Sequence, residues 1–281
     1  MKCDKCTASA IIYQKYSGMH LCARHFQEDV HRKIRESLRE SGIFGHGAKI
    51  AVGVNGSADS AVLIYVLKSL FSNRNDIELV AIMIDEGIVG YSHHALDYAI
   101  RLANELHVPY VIKSFIDAFG ETIDGLHDIR ELCSICKSMR NKLLLRTAVE
   151  VGATALATGN NLDTESAEIM LRYLSGDIED TADVSSISST LGVHSHNTGE
   201  QIPIIKPLRR IPAEEARLYA KNQRTPFASV PCPYARGLLA DVKKELRDFE
   251  AKHPGTNYSL LRMQERVVKL RRSRDEEGQS L

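Results

Sequence analysis

Short apolar runs alternate with amphipathic segments through the first half of this chain. The apolar runs predict strands at 49–54, 79–84, 109–113 and 154–157, and the segments between them predict helices at 59–71, 93–106 and from 136 to 151. Strands separated by helices cannot pair as hairpins, so the pattern predicts an α/β fold, with a parallel sheet and helices on both faces.

The length of 281 residues suits one core domain with small appendages. We expect a small module at 1–26, a linking helix within 27–47 that spans 27–41, the core domain at 48–240, and a helical segment at 241–281 whose charged tail frays from 265. Residues 177–200 are rich in Ser, Thr, Asp and Gly without an apolar period, which predicts a mobile loop.

The charge balance excludes a global field that attracts polyanions, because 36 basic residues face 36 acidic ones. Any nucleic-acid surface must therefore be a local patch. No apolar run is long enough for a membrane span. The sequence begins Met1-Lys2-Cys3 without the pattern of an export signal, so we expect a reducing cytoplasm.

Four potential metal ligands lie near the N-terminus. Cys3 and Cys6 form a C-x-x-C pair, and Cys22 and His25 form a C-x-x-H pair fifteen residues later. Two such knuckles that converge on one ion are typical of tetrahedral structural zinc. A disulfide is the alternative, but the expected reducing compartment disfavours it.

The other three cysteines are Cys133, Cys136 and Cys232. Three thiolates cannot complete a tetrahedral all-cysteine site. They suit a 4Fe-4S cluster with one open iron, or alternatively a redox pair with a bystander. The spacing does not decide between the two, because Cys232 is far away in sequence.

Ligands of open parallel sheets bind at the carboxyl ends of the strands. The first strand-end loop consists of small residues that lead into a helix, so its backbone N–H groups predict a phosphate cradle, although an ordinary helix cap has a similar pattern. Its candidate nucleotide-binding residues are Val54, Asn55, Gly56, Ser57, Asp59 and Ser60. The next two loops contribute Asp85 and Gly87, and then Gly159 and Asp163.

Taken in order, these motifs resemble the tRNA 2-thiolation branch of the PP-loop ATP pyrophosphatases, which includes archaeal and thermophile tRNA thiouridine synthetases and eukaryotic cytoplasmic tRNA thiolases. The resemblance covers about nine-tenths of the chain, from residue 3 to 261. It also includes the sequences IKPLRRIP at 205–212, CPYA at 232–235 and HPGT at 253–256.

This resemblance implies a tRNA-uridine 2-sulfurtransferase that uses ATP and Mg²⁺. Asp59 and Ser60 would contact phosphate or magnesium, Asp85 and Gly87 would lie near the nucleotide, and Asp163 would lie beside the reacting atoms. The three core cysteines would ligate a 4Fe-4S cluster. The implied partners are tRNA, a sulfur donor (sulfide or a ubiquitin-like sulfur carrier protein) and a second copy in a homodimer.

The chain departs from the family pattern on the nucleotide side. The family loop S-G-G-K-D-S becomes N-G-S-A-D-S, so Ala58 replaces a lysine whose loss typically costs on the order of 100- to 1,000-fold in turnover. In the third loop, Asn160 replaces a histidine and Thr164 an aspartate. Lys137, beside a cluster ligand, is a candidate catalytic replacement for the missing charge. The alternative is a weak or inactive paralogue that binds tRNA, a partner or a cluster.

Two basic clusters are candidates for tRNA contact: Lys206 with Arg209 and Arg210, and the run at 269–274. Charge clusters of this size are more often solvated faces than binding sites. If they bind phosphates, affinity falls steeply with salt.

Overall fold

The computed structural model describes residues 1–43, 47–126, 132–176 and 202–278. The elements in these ranges are β1 (Ile12–Gln14), β2 (Met19–Leu21), α1 (Ala23–Glu40), β3 (Ala48–Gly53), α2 (Ala58–Leu70), β4 (Ile77–Asp85), α3 (Ser92–Glu105), β5 (Tyr110–Ser114), α4 (Phe115–Phe119), α5 (Leu132–Glu150), β6 (Ala155–Ala157), α6 (Leu162–Ser175), β7 (Ile204–Ile205), α7 (Ala213–Asn222), α8 (Leu238–Lys252) and α9 (Thr256–Gly278).

Five strands form the main sheet in the order β5-β4-β3-β6-β7, and every neighbouring pair is parallel. Side chains alternate across the central strand: Ile50 and Val52 pack on one face, and Ala51 on the other. Helices α1, α2, α3 and α7 cover the first face, and α4 and α5 cover the second. The predicted α/β fold is therefore confirmed.

The sheet order positions the candidate loops. β3 lies between β4 and β6, so the loops that follow these three strands open at one edge of the sheet. Beside this edge, α8 packs against α6, with Val242 and Leu246 in contact with the helix that carries Ala167. This packing places α8 next to the loop that precedes α6.

Three predicted boundaries need correction. Helix α1 begins at Ala23 rather than at 27, because the second metal knuckle forms its first turn. Helix α5 begins at Leu132 rather than after 136, so it carries both cysteines of the central pair. The tail predicted to fray is helical as far as Gly278. The loop predicted at 177–200 lies outside the described residues.

A buried polar network connects the N-terminal hairpin of β1 and β2 to the core. The Nζ atom of Lys33 lies 2.9 Å from Oδ2 of Asp29 on α1 and 3.3 Å from Oε2 of Glu215 on α7. From β1, Gln14 donates to both carboxylates at 3.0 Å. The hairpin is thus held on the sheet domain by contacts to two helices.

Across the described ranges, no helix combines the length and the apolar character that crossing a bilayer requires.

Candidate functional site

The N-terminal knuckles converge on one point. The ligand atoms of Cys3, Cys6, Cys22 and His25 all lie within 4.8 Å of one another. Sγ of Cys3 is 3.3 Å from Nδ1 of His25, and the Sγ atoms of Cys6 and Cys22 are 3.7 Å apart. These spacings fit the edges of a tetrahedron of sulfur and nitrogen ligands around zinc. These four residues are the ones that the sequence predicts for the N-terminal metal site.

The electrostatics of this site favour a thiolate. Burial acts to raise the pKa of the Cys3 thiol, but hydrogen bonds from the backbone N–H groups of Cys22 and Lys5, together with the His25 side chain, lower it to about 6. A thiol that ionises near neutrality is ready to bind a cation.

The three core cysteines lie in one half-buried region. Cys133 and Cys136 are one turn apart on α5, and Cys232 comes from the segment before α8. Cys136 and Cys232 pack in the same apolar cluster, and all three sulfur atoms interact electrostatically. The long-range proximity that the sequence left open is therefore present.

The surroundings of this trio suit a cationic metal group. Burial raises the pKa of the Cys136 thiol to about 11, so its thiolate needs a positive partner. Arg140 supplies part of that charge: its Nη2 is 3.2 Å from Sγ of Cys136, and its Nε is 2.8 Å from Oε1 of the buried Glu86. Within the described chain, these thiols do not form a tight single-ion group like the N-terminal one. One buried and two partly buried thiols outside a single-ion arrangement match the donor set of a cluster.

The first strand-end loop is held by its own side chains. The Ser57 hydroxyl donates to Oδ1 of Asn55 at 2.8 Å and accepts from the backbone N–H of Ser60 at 3.3 Å, which caps α2. Gly56 has a φ of +73°, and a Cβ there would lie 2.2 Å from the carbonyl oxygen of Ala95. The replaced residues Asn55 and Ser57 therefore keep an ordered loop, although they bring no positive charge.

The third loop packs directly on the first. A Cβ on Gly159 would lie 3.2 Å from the backbone nitrogen of Ser60, a tight contact that would push the two loops slightly apart. Asn161 donates to the Asp59 carboxylate and caps α6 by accepting from the Thr164 N–H at 2.9 Å. Asp163 accepts from the N–H of Ala213 at 2.7 Å, at the start of α7. Asp59 and Asp163 thus share one cleft.

The second strand-end loop is a tight turn that is held by a hydrogen bond within the loop itself. Asp85 accepts from the N–H of Gly87 at 2.8 Å. Gly87 has a φ of +69° and faces Thr122, where a Cβ would meet the threonine side chain at 2.5 Å. These two predicted nucleotide-binding residues lie at the end of β4, beside Glu86 and the cysteine trio.

Basic side chains in the cleft are mostly paired with acids. Nζ of Lys137 is 2.5 Å from Oε1 of Glu168, and Nζ of Lys206 is 2.8 Å from Oε1 of the buried Glu165. Outside the cleft, Arg210 binds Glu40 at 2.7 Å and Glu265 at 2.8 Å. The first of the two predicted tRNA patches is therefore engaged in internal ion pairs. In the second, the side chains of 271, 272 and 274 lie outside the described residues.

One cleft residue was missed by sequence reasoning. Lys243, on α8, donates to the Thr164 hydroxyl at 3.0 Å and faces both Asp59 and Asp163. It belongs to no strand-end loop, and only the packing of α8 on α6 brings it here. The nearest sequence signal was Thr164 itself, a departure from the family pattern at the residue that Lys243 contacts.

Asp59 gives a pH-dependent prediction. Burial raises the pKa of its carboxyl to about 6. The folded protein therefore holds this proton more tightly than the unfolded chain does, and stability is lost as pH rises from about 4 to about 6. Without nucleotide and magnesium, we expect Asp59→Asn to stabilise the protein by up to about 3 kcal/mol at pH 7.5.

Urea denaturation at a series of pH values measures this effect, and the gain should shrink as the pH falls from about 6 to about 4. The exposed Asp241→Asn serves as control and should stay within about 0.5 kcal/mol of the wild type. A destabilised Asp59→Asn at pH 7.5 would show that the carboxylate is a structural anchor instead.

Comparisons with known proteins agree with this geometry. The model of the PP-loop domain matches residues 26–232, and that of the N-terminal LIM domain of 2-thiouridine synthetase TtuA matches residues 2–27. The chain is 33% identical to the tRNA 2-thiolation protein NcsA of Haloferax volcanii, over 96% of this chain and 88% of that protein. It is 31% identical to the tRNA-5-methyluridine(54) 2-sulfurtransferase of Pyrococcus horikoshii, over 93% and 81%.

A solved structure shares the fold. The U34-tRNA thiolase NcsA from Methanococcus maripaludis, with its [4Fe-4S] cluster, superposes with a TM-score of 0.82 at 32% identity, over 96% of this chain and 87% of that one. The chain therefore belongs to the PP-loop family of tRNA thiolation proteins, as its sequence motifs predict.

Proposed function

We propose that this protein is a tRNA-uridine 2-sulfurtransferase that activates its substrate with ATP. The observation that carries the proposal is the meeting of three components at one edge of the sheet: the phosphate-type loop at 55–60, the acidic loop that ends at Asp163, and the cysteine trio. The loops suit nucleotide binding, and the thiols suit sulfur chemistry. Because they lie close together, one bound uridine can be activated by ATP and then receive sulfur in the same site.

The reaction has two steps with a balanced exchange of atoms. The C2 oxygen of uridine attacks the α-phosphate of ATP, and the bond to pyrophosphate breaks. Sulfur then attacks C2, the C2–O bond breaks, and AMP leaves with the former uridine oxygen. The products are 2-thiouridine, AMP and pyrophosphate.

The side chains divide between the two steps. The 55–60 loop and the start of α2 would hold the phosphates, with Asp59 and Asp163 as ligands or positioning groups for Mg²⁺. Lys137 would act from the cluster side, where its pair with Glu168 fixes its position. Cys133, Cys136 and Cys232 would hold a 4Fe-4S cluster, which would supply the sulfur chemistry of the second step.

The proposed partners and compartment follow from the family resemblance and from the expected reducing environment. The sulfur donor is sulfide or a ubiquitin-like sulfur carrier protein, and the protein works as a homodimer in the cytoplasm. The N-terminal metal site supports the fold rather than the chemistry, because it lies on the hairpin that the Lys33 network ties to α1 and α7.

Nucleoside mass spectrometry tests this function. Protein purified without oxygen, with its iron and sulfide content measured, is incubated with ATP, Mg²⁺, sulfide and unmodified tRNA. We expect 2-thiouridine or a 2-thio derivative to appear only when ATP and tRNA are both present. Fragment mapping then identifies the uridine. An absence of thiolated nucleosides with every candidate donor would contradict the proposal.

The alternative of a weak or inactive paralogue is favoured by one observation, the alanine at position 58. In that case the cluster and tRNA bind, but AMP is not formed. The nucleotide-side measurements below separate these two functions.

A further inference from the structure

A lysine from outside the strand-end loops reaches the phosphate side of the cleft. Packing of Val242 and Leu246 against α6 fixes the orientation of α8. Lys243 therefore lies over the loop that precedes α6, where its Nζ donates to the Thr164 hydroxyl at 3.0 Å. Its charge interacts with Asp59, in the first turn of α2, directly after residue 58.

The two other lysines of the cleft have acidic partners at short range. Lys137 is bound to Glu168 at 2.5 Å, and its side chain is 45% exposed. Lys206 lies 2.8 Å from Glu165 and 3.6 Å from Glu168, with little exposure. Each is thus committed to an internal ion pair that an incoming phosphate would have to break.

Lys243 differs because its short hydrogen bond goes to a neutral hydroxyl. Burial lowers the pKa of its ammonium group, and Lys137 acts in the same direction, against the attraction of Glu168, Asp59 and Asp163. Its hydrogen-bond partner is a hydroxyl, so these carboxylates act on it at longer range than in the ion pairs of Lys137 and Lys206. A phosphate could therefore bind beside Lys243 without displacing an ion-pair partner.

Two departures from the family pattern fit together around this residue. Ala58 removes a positive charge from the first loop, and Thr164 removes a negative charge from the third. An aspartate at 164 would face the ammonium group of Lys243 as an ion-pair partner, whereas the threonine leaves that charge available. The pair of changes removes one positive and one negative charge, and Lys243 on α8 remains beside the altered loops.

We propose that Lys243 is a catalytic residue that binds the β- or γ-phosphate of ATP and takes the electrostatic role that Ala58 cannot fill. The inference rests on the proposed function. As pyrophosphate leaves, negative charge grows on its oxygens, and a fixed ammonium group stabilises that charge. Residue 243 thereby explains how a loop without lysine can support adenylation.

Direct nucleotide binding and turnover test the proposal separately. Calorimetry with magnesium and α,β-methylene-ATP, which cannot be cleaved at the reacting bond, measures binding to the cluster-loaded protein. We expect Lys243→Met to weaken binding about 10- to 100-fold and to lower tRNA-dependent AMP release about 100- to 1,000-fold. Lys243→Arg should recover most of both. Lys244→Met, an exposed neighbour on the same helix, should match the wild type.

A charge exchange gives the sharpest readout. Adding Ala58→Lys to Lys243→Met should recover at least about tenfold of the lost AMP release, because one cation replaces the other. This gain cannot come from a purely structural role of Lys243. Unchanged binding and turnover in Lys243→Met, or no recovery in the double variant, would overturn the inference alone. A wild-type protein that binds no nucleotide would instead contradict the proposed function itself.

Discussion

Replacement of Cys232 by serine is expected to reduce tRNA thiolation to the no-enzyme background while release of pyrophosphate from ATP, the product of the first step, continues. The reason is that the cysteines and the phosphate-type loop lie in different parts of the cleft. Cys232 packs with Cys136 in the apolar cluster on the β4 side, whereas Asp59 and the 55–60 loop lie at the end of β3. Loss of one of three thiolates leaves two ligands, too few to retain the cluster.

Iron and sulfide analysis, nucleoside mass spectrometry and pyrophosphate release measure the three parts of this expectation. Ser134→Ala is the matched control, because residue 134 is exposed on α5 between the two cysteines of the pair and is no ligand. It should keep wild-type iron content and activity. Undiminished thiolation by Cys232→Ser would remove the three-cysteine site from the mechanism.

Replacement of Cys22 by serine is expected to release zinc and destabilise far more than the hairpin. Cys22 is both one of the four predicted zinc ligands and the N-cap of α1, and α1 buries Phe26, Val30 and Ile34 in the core of the sheet domain. Structural zinc sites contribute about 10 kcal/mol or more of apparent binding free energy at neutral pH. Loss of even about 3 kcal/mol predicts a fall in Tm of roughly 10 °C.

Zinc content by mass spectrometry of metals and Tm by calorimetry test this. His20→Gln provides the control in the same hairpin, because His20 stacks on Tyr13 and is outside the four-ligand group. It should keep one zinc per chain and shift Tm by no more than about 2 °C. A Cys22→Ser variant with unchanged Tm would show that the fold does not depend on this metal site.

Local patterns in the sequence predict the parts of the structure that local interactions decide. The four ligands of the N-terminal site were foreseeable because two short knuckles each fix half of the geometry. Four of the five strands of the main sheet were foreseeable because strands such as β3 and β4 are buried and apolar over most of their length. β7 was missed because it has only two residues. The start of α1 was misplaced because metal ligands, rather than an apolar period, form its first turn.

Features that depend on chain packing were not foreseeable. Whether Cys232 approaches Cys133 and Cys136 depends on the path of the chain after α7. The position of Lys243 depends on the contact between α8 and α6. Both are long-range consequences of the fold, so no spacing rule along the sequence contains them.

The central claim is that a loop with alanine at position 58 still activates uridine with ATP. Release of pyrophosphate from ATP by the cluster-loaded wild-type protein, with and without tRNA, tests it most directly. The account predicts release that depends on tRNA and disappears in Asp59→Asn, which should remain folded. Equal release with and without tRNA, or none from protein with its full iron content, would contradict it.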